Sequence, residues 1–373
     1  MSTTVQSGGG TAPGQGAAAA THTIERAPVI RGPVLLASDG QLQGDVLAFA
    51  SRLADERWQV PLQVVAVIEP VSAFGGMSSI MPSDDVVEAD VRRTLHDALG
   101  RDMRPSSGRT PAPTIAIRRG RVAHELATAA REHDATVIVV GASPRRHRRR
   151  IISGVRATQV LRESSTPVLS LATGVNRLPR RIVAAIDLGA ASMRAARLAI
   201  RLAGDAGTLT LAYVRPLLTT VRSLSDVRAT PAGARIEERL EAFADELRAE
   251  APAGVTVYTR ITTGIVEDEL LAFAEESEAD LVAVGTRGPG LVERFFIGSV
   301  ASTMLHHAPC SVLAAPAPPR EALAAEGPAE ERTWTAEPSE FAGLLDDFSL
   351  RNAGRSVSVE VDDPEFGAQV QAS

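Results

Sequence analysis

At 373 residues, with 44% hydrophobic and 23% charged side chains, the chain is long enough for two ordinary domains with proper cores. Its net charge of -6 and its 3% aromatic content speak against a general nucleic-acid binder, which needs a basic field and stacking platforms. All 39 of its Lys-or-Arg side chains are arginine, which excludes a Walker A loop, a pyridoxal Schiff base and lysine aldolase chemistry.

Residues 1–27 open the chain with a Gly/Ala-rich stretch, Ser7 to Ala20, that has neither the basic n-region nor the apolar h-region of a secretory signal. Disorder is expected there. No apolar run approaches transmembrane length, so no membrane partner is expected. The single cysteine, Cys310, cannot close an internal disulfide, so the expected compartment is a reducing cytoplasm. Its other reading is a small core residue.

From residue 28 onward, short apolar runs alternate with longer helical patterns, the mark of βαβ units and a parallel sheet. Strands are expected at Val34 to Ala37, Leu62 to Val67, Thr114 to Ile117, Val137 to Val140 and Val168 to Leu171. Thr173 to Pro179 reads as a short link. The pattern then recurs, with strands at Ile182 to Ile186, Leu209 to Val214, Val255 to Thr259, Leu281 to Val284 and Ser311 to Ala314. Helices are expected near Ser192 to Ala203, Ala232 to Arg248, Val266 to Glu276 and Ser299 to His306.

The recurrence is an internal repeat. Val34-Leu-Leu-Ala-Ser-Asp39 matches Ile182-Val-Ala-Ala-Ile-Asp187, and Gly120 through Leu126 matches Gly264 through Leu270. Gly141 matches Gly285, and Gly154 matches Gly298. Two domains follow, residues 28–173 and 179–316. A linker covers 317–332, and the tail 333–373 holds a short helical pattern (Phe341, Leu344, Leu345, Phe348) and an alternating Val357 to Val361 strand.

In the second copy, the strand ending at Val284 is followed by Gly285, Gly288, Gly298 and Ser299, and a helix opens near Val300. Small residues let backbone amides approach an anion, and the first amides of a helix have no internal partner. Ser299 can cap that helix or donate to a phosphoryl oxygen. The glycines can also serve turn geometry alone.

The Gly-x2-Gly-x9-Gly-Ser spacing, within the order strand, glycine loop, helix, final strand, resembles the nucleotide-binding signature of universal stress proteins. The resemblance spans about residues 30 to 316. It implies two tandem doubly wound, Rossmann-like α/β domains, each a five-stranded parallel sheet of order 3-2-1-4-5 flanked by helices. Strands 1 and 4 are then neighbours, and the distant Asp187 joins the glycine loop in one crevice. By resemblance to the ATP-binding branch, Ala185, Ile186 and Asp187 would contact the adenosine part, with Val214 beside the adenine. Gly285, Gly288, Gly298, Ser299 and Val300 would hold the phosphates, and any Mg2+ would be held through them. Asp187 can instead serve only as a cap of the following helix, and Arg287 can reach the phosphates or remain solvated.

Copy one departs from this motif. Pro144 stands where copy two has Gly288, and Val155 where it has Ser299, so an amide and a hydroxyl are lost. Binding of ATP there by the family's route is not expected. The loop carries Arg145-Arg146-His147-Arg148-Arg149-Arg150 instead, either a solvated run or a contact for a polyanion such as RNA. The tail also resembles, over about 40 residues, the opening of a small bacterial domain of unknown function.

No Gly-x-Ser-x-Gly elbow, His-Glu-x-x-His helix or zinc-spaced Cys/His cluster occurs. The resemblance thus implies a stress-response factor that binds an adenine nucleotide with little or no turnover. Two alternatives stay open: a slow ATP-hydrolysing or adenylate-chemistry enzyme, and a ligand-free interaction module. In the latter, the outer strands near Leu169 and Val312 would pair the two domains within one chain, or pair copies in a homodimer.

Overall fold

Val137-Ile-Val-Val140 offers no polar side to water, and all four of its side chains are buried. Such a run suits a strand covered on both faces, and it occupies the middle of a sheet with helices on each side. The computed structural model describes residues 30–69, 83–102, 110–141, 149–216, 231–286 and 297–318. All lie within the unit Met1–Gly327. The expected disorder of residues 1–27 and the patterns of the tail 333–373 fall outside the described residues.

In the first copy the chain runs β1 (Val34–Ser38), α1 (Gly44–Ser51), a π-helical segment (Arg52–Trp58), β2 (Leu62–Ile68), α2 (Asp84–Asp102), β3 (Thr114–Arg119), α3 (Val122–Glu132), β4 (Val137–Val140), α4 (Arg149–Glu163) and β5 (Val168–Ser170). The second copy follows as β6 (Arg181–Ala185), α5 (Ala190–Leu202), β7 (Thr208–Pro216), α6 (Pro231–Glu250), β8 (Thr256–Gly264), α7 (Val266–Glu276), β9 (Leu281–Gly285), α8 (Ser299–His307) and β10 (Ser311–Ala315). Helix α7 shows the local logic. Glu267, Asp268 and Glu269 crowd its first turn, where the helix dipole favours negative charge, and Leu270 and Ala274, one turn apart, are its buried side chains.

The ten strands form one sheet in the order β3-β2-β1-β4-β5-β10-β9-β6-β7-β8. Each half is parallel internally and has the expected 3-2-1-4-5 order. The halves meet where β5 and β10 pair antiparallel, Leu169 opposite Leu313. Strand β8 reaches Gly264, well past the expected end at Thr259, because its ladder with β7 continues to Pro216.

Two apolar layers cover the sheet, and both cross the seam. One gathers Leu47, Leu53 and Leu95 with Leu198, Leu202 and Phe243. The other gathers Leu126, Val160 and Leu161 with Leu270, Met304 and Leu305. Polar contacts close the seam. The Arg194 guanidinium donates to the carbonyls of Ser165 (3.2 Å) and Pro316 (2.9 Å). Arg57 and Trp58 both donate to the Arg201 carbonyl, at 3.1 and 3.0 Å.

Candidate functional site

Strand β6 lies between β9 and β7, so the strand order reverses at the β6/β9 boundary. The helix after β6 packs on one apolar layer and the helix after β9 on the other, which leaves a crevice beyond the carboxyl ends of these two strands. Asp187, two residues past the end of β6, is exposed there. Gly285 closes β9.

Gly285 has a packing reason to be glycine. A Cβ there would sit 2.6 Å from the Ser192 amide nitrogen and 2.8 Å from the Ala191 carbonyl carbon, both backbone atoms of α5. Gly141 repeats the arrangement in copy one, where a Cβ would meet Val46 Cγ2 at 2.7 Å. This glycine therefore lets the first helix of each copy press onto its fourth strand.

Gly298 differs. Its N–H donates to the Thr286 carbonyl at 2.7 Å, and the Thr286 N–H donates to the Ala315 carbonyl at 2.9 Å. These bonds anchor the start of α8 directly at the end of β9. The Gly298 amide is consumed by the anchor and cannot also face an anion. The amides of Ser299, Val300 and Ala301 remain, since Ser302 is the first to bond back, to the Gly298 carbonyl at 3.0 Å. Ser299 is exposed and no side chain caps the helix. Arg287 and Gly288 lie outside the described residues.

On the nucleoside side, the residues before Asp187 part company. Ile186 is 5% exposed and packs in the layer beneath α5 and α6, and its N–H donates to the Ala212 carbonyl at 2.9 Å. Ala185 packs in the opposite layer with Val214, itself 8% exposed. Ala185 and Val214 thus share one face of the sheet, and Ile186 belongs to the other.

The Asp187 carboxylate is held through Oδ1, which accepts from the Gly189 N–H at 2.8 Å and the Ser192 hydroxyl at 2.5 Å. It therefore braces the approach to α5 without capping it; the cap position is Gly189. Between them Leu188 has φ of 60°, the left-handed region that a residue with a Cβ seldom enters. Sequence reasoning missed Ser192, whose signal was a hydroxyl five residues after the aspartate, at a helix start.

Neighbouring charges are mostly structural. Arg215 reaches Glu237 at 2.9 Å and Arg197 reaches Glu246 at 2.6 Å, tying α6 to β7 and α5. Burial pushes the Tyr213 phenol above its ordinary value; Arg215 and Arg239 oppose that shift and Asp187 adds to it.

Copy one diverges further than the two substitutions foretold. Its α4 begins at Arg149, six residues before Val155, the position equivalent to the α8 start at Ser299. Gly154 and Val155 thus lie inside a helix, where amides are spent on the preceding turn. Arg149 and Arg150, expected in a loop, belong to that helix; Pro144 and Arg145 to Arg148 lie outside the described residues.

The model of the universal stress protein family matches the chain twice, over residues 31–171 and 179–316. A universal stress protein of Methanocaldococcus jannaschii is 35% identical over 85 residues, 23% of this chain and 50% of its own. One of Staphylococcus aureus is 40% identical over 90 residues, 21% of this chain and 52% of its own. The chain spans about half the length of these curated relatives. Among solved structures, a universal stress protein from Archaeoglobus fulgidus is similar in fold, with a TM-score of 0.52 and 19% identity over 77% of this chain and 96% of that one.

Proposed function

Because this chain belongs to the universal stress protein family, whose unit it carries twice in tandem, we propose that it is a cytoplasmic stress-response factor that holds ATP in its second copy with little or no turnover. The observation that carries this reading is the set of amides of Ser299, Val300 and Ala301, which have no partner among the described residues and are pinned by the Gly298 to Thr286 bond at the strand-order reversal. At the same strand ends Asp187 would offer the nucleoside a polar contact, and Ala185 and Val214, which share one face of the sheet, an apolar one.

The residues fit a triphosphate without any ammonium group, since the donors are main-chain N–H groups and the Ser299 hydroxyl. Among the described residues no group of three His, Cys, Asp or Glu could hold a metal, so a magnesium ion would arrive with the phosphates and be held through them. None of the site's described side chains is a general base aimed at the phosphate end, which favours retention over hydrolysis. No helix among the described residues is long and apolar enough to cross a membrane.

Mass spectrometry of the purified protein is expected to find retained adenine nucleotide, and Gly288→Pro, which copies what the first domain carries, is expected to abolish it. Undiminished nucleotide in that variant would remove the loop from the site. Release of AMP and pyrophosphate from added ATP would replace the binding reading with an adenylate-chemistry enzyme.

A further inference from the structure

Asp187 is clasped from behind. Ser192, in the first turn of α5, is 2% exposed, and its Oγ lies 2.5 Å from Asp187 Oδ1 and 3.0 Å from the Gly189 carbonyl. The hydroxyl has one proton, and the shorter contact to a charged oxygen takes it. In return the Asp187 N–H donates to Ser192 Oγ at 3.3 Å. With the Gly189 N–H also on Oδ1, that oxygen is fully engaged, while Oδ2 accepts no bond among the described residues and the side chain stands exposed. The clasp closes around Leu188, whose left-handed φ of 60° persists only where its surroundings enforce it.

In copy one the residue whose side chain crowds Gly141, the counterpart of Gly285, is Val46, which carries no hydroxyl.

Resting on the reading that the second copy binds ATP, we propose that Ser192 is a positioning residue. It fixes Asp187 so that Oδ2 is the oxygen offered to the nucleoside part of the ligand. A carboxylate repels phosphate, so Asp187 can only reward groups that donate hydrogen bonds, and ATP carries these on its ribose and adenine. The phosphate end rests on the α8 amides, which Ser192 does not touch. Its contribution therefore depends on the ligand having a nucleoside.

Calorimetric titration of the full chain with ATP and with inorganic tripolyphosphate separates the two ends. Ser192→Ala is expected to weaken ATP by about tenfold or more, the scale of losing a hydrogen bond to a charged group, and to leave tripolyphosphate within about twofold. In an Asp187→Ala background the Ser192 change is expected to add nothing, because the group it positions is gone. Unchanged ATP affinity in Ser192→Ala, equal losses for both ligands, or a full additional loss in the double variant would each overturn the assignment. Wild-type protein that binds neither ligand would sink the nucleotide reading itself, a result distinct from wild-type binding that Ser192→Ala leaves intact.

Discussion

Gly285 and Gly298 look alike in the repeat, yet they have different reasons to lack a side chain. Gly285 meets backbone atoms of α5 that cannot yield, so Gly285→Ala should overpack the β9–α5 contact and cost about 1–3 kcal/mol. Gly298 has an ordinary φ of -59°, and a Cβ there would stand 3.4 Å from the Thr286 carbonyl oxygen, a contact of normal length. Gly298→Ala is therefore expected to keep the fold and to weaken nucleotide retention by crowding the α8 amides. Urea unfolding beside nucleotide titration checks both expectations; a Gly298→Ala variant as unstable as Gly285→Ala would contradict the distinction. The spacing of glycines was legible in the sequence, but their separate duties were not. Those duties depend on which backbone passes nearby: Ala191 and Ser192 of α5 for Gly285, and Thr286 at the end of β9 for Gly298. Ser192 escaped notice for another reason: it lies only five positions from Asp187, but a serine in a first helical turn has many uses, and the left-handed turn at Leu188 lies between them without a sequence signal.

Among the elements, α4 and α8 are the informative pair. They occupy equivalent places, but α8 starts at the crevice and α4 starts six residues earlier. Restoring the motif letters in copy one, by Pro144→Gly together with Val155→Ser, should therefore not create a site, because the amide at residue 155 stays inside a helix. In a Gly288→Pro background, where copy two is disabled, mass spectrometry is expected to find no retained nucleotide; recovery of nucleotide would mean that the helix start gives way readily. The strands were read nearly to the residue wherever both faces are buried, as in β4 and β9, since continuous Val/Ile/Leu runs leave little choice. Strand β8 was read short because Thr262-Thr263-Gly264 carries no apolar signal and is held by its ladder with β7. The early start of α4 was hidden by a run of arginines that composition alone places in solvent.

For the molecule as a whole, the seam decides the energetics. Leu169 and Leu313 face each other across β5 and β10 with no exposed surface, and both apolar layers continue from one copy into the other. Scanning calorimetry is expected to give one cooperative transition, lowered but not split by Leu313→Ala, at a cost of about 2–5 kcal/mol. Two resolved transitions in the wild type would show that the copies melt as separate bodies. The sequence foretold two copies, and its interaction-module reading named the strands near Leu169 and Val312 that do join them. It could not foretell how completely the cores merge, as that follows from side chains of both halves meeting above and below the junction.

The opposed directions of β5 and β10 have a further consequence. Every strand of the first copy finishes at one rim of the sheet and every strand of the second finishes at the other. The carboxyl end of β4 and the crevice beside Asp187 thus lie at opposite rims. A ligand in the crevice of the second copy therefore lies at least a strand's length away from the carboxyl ends of the first copy's strands.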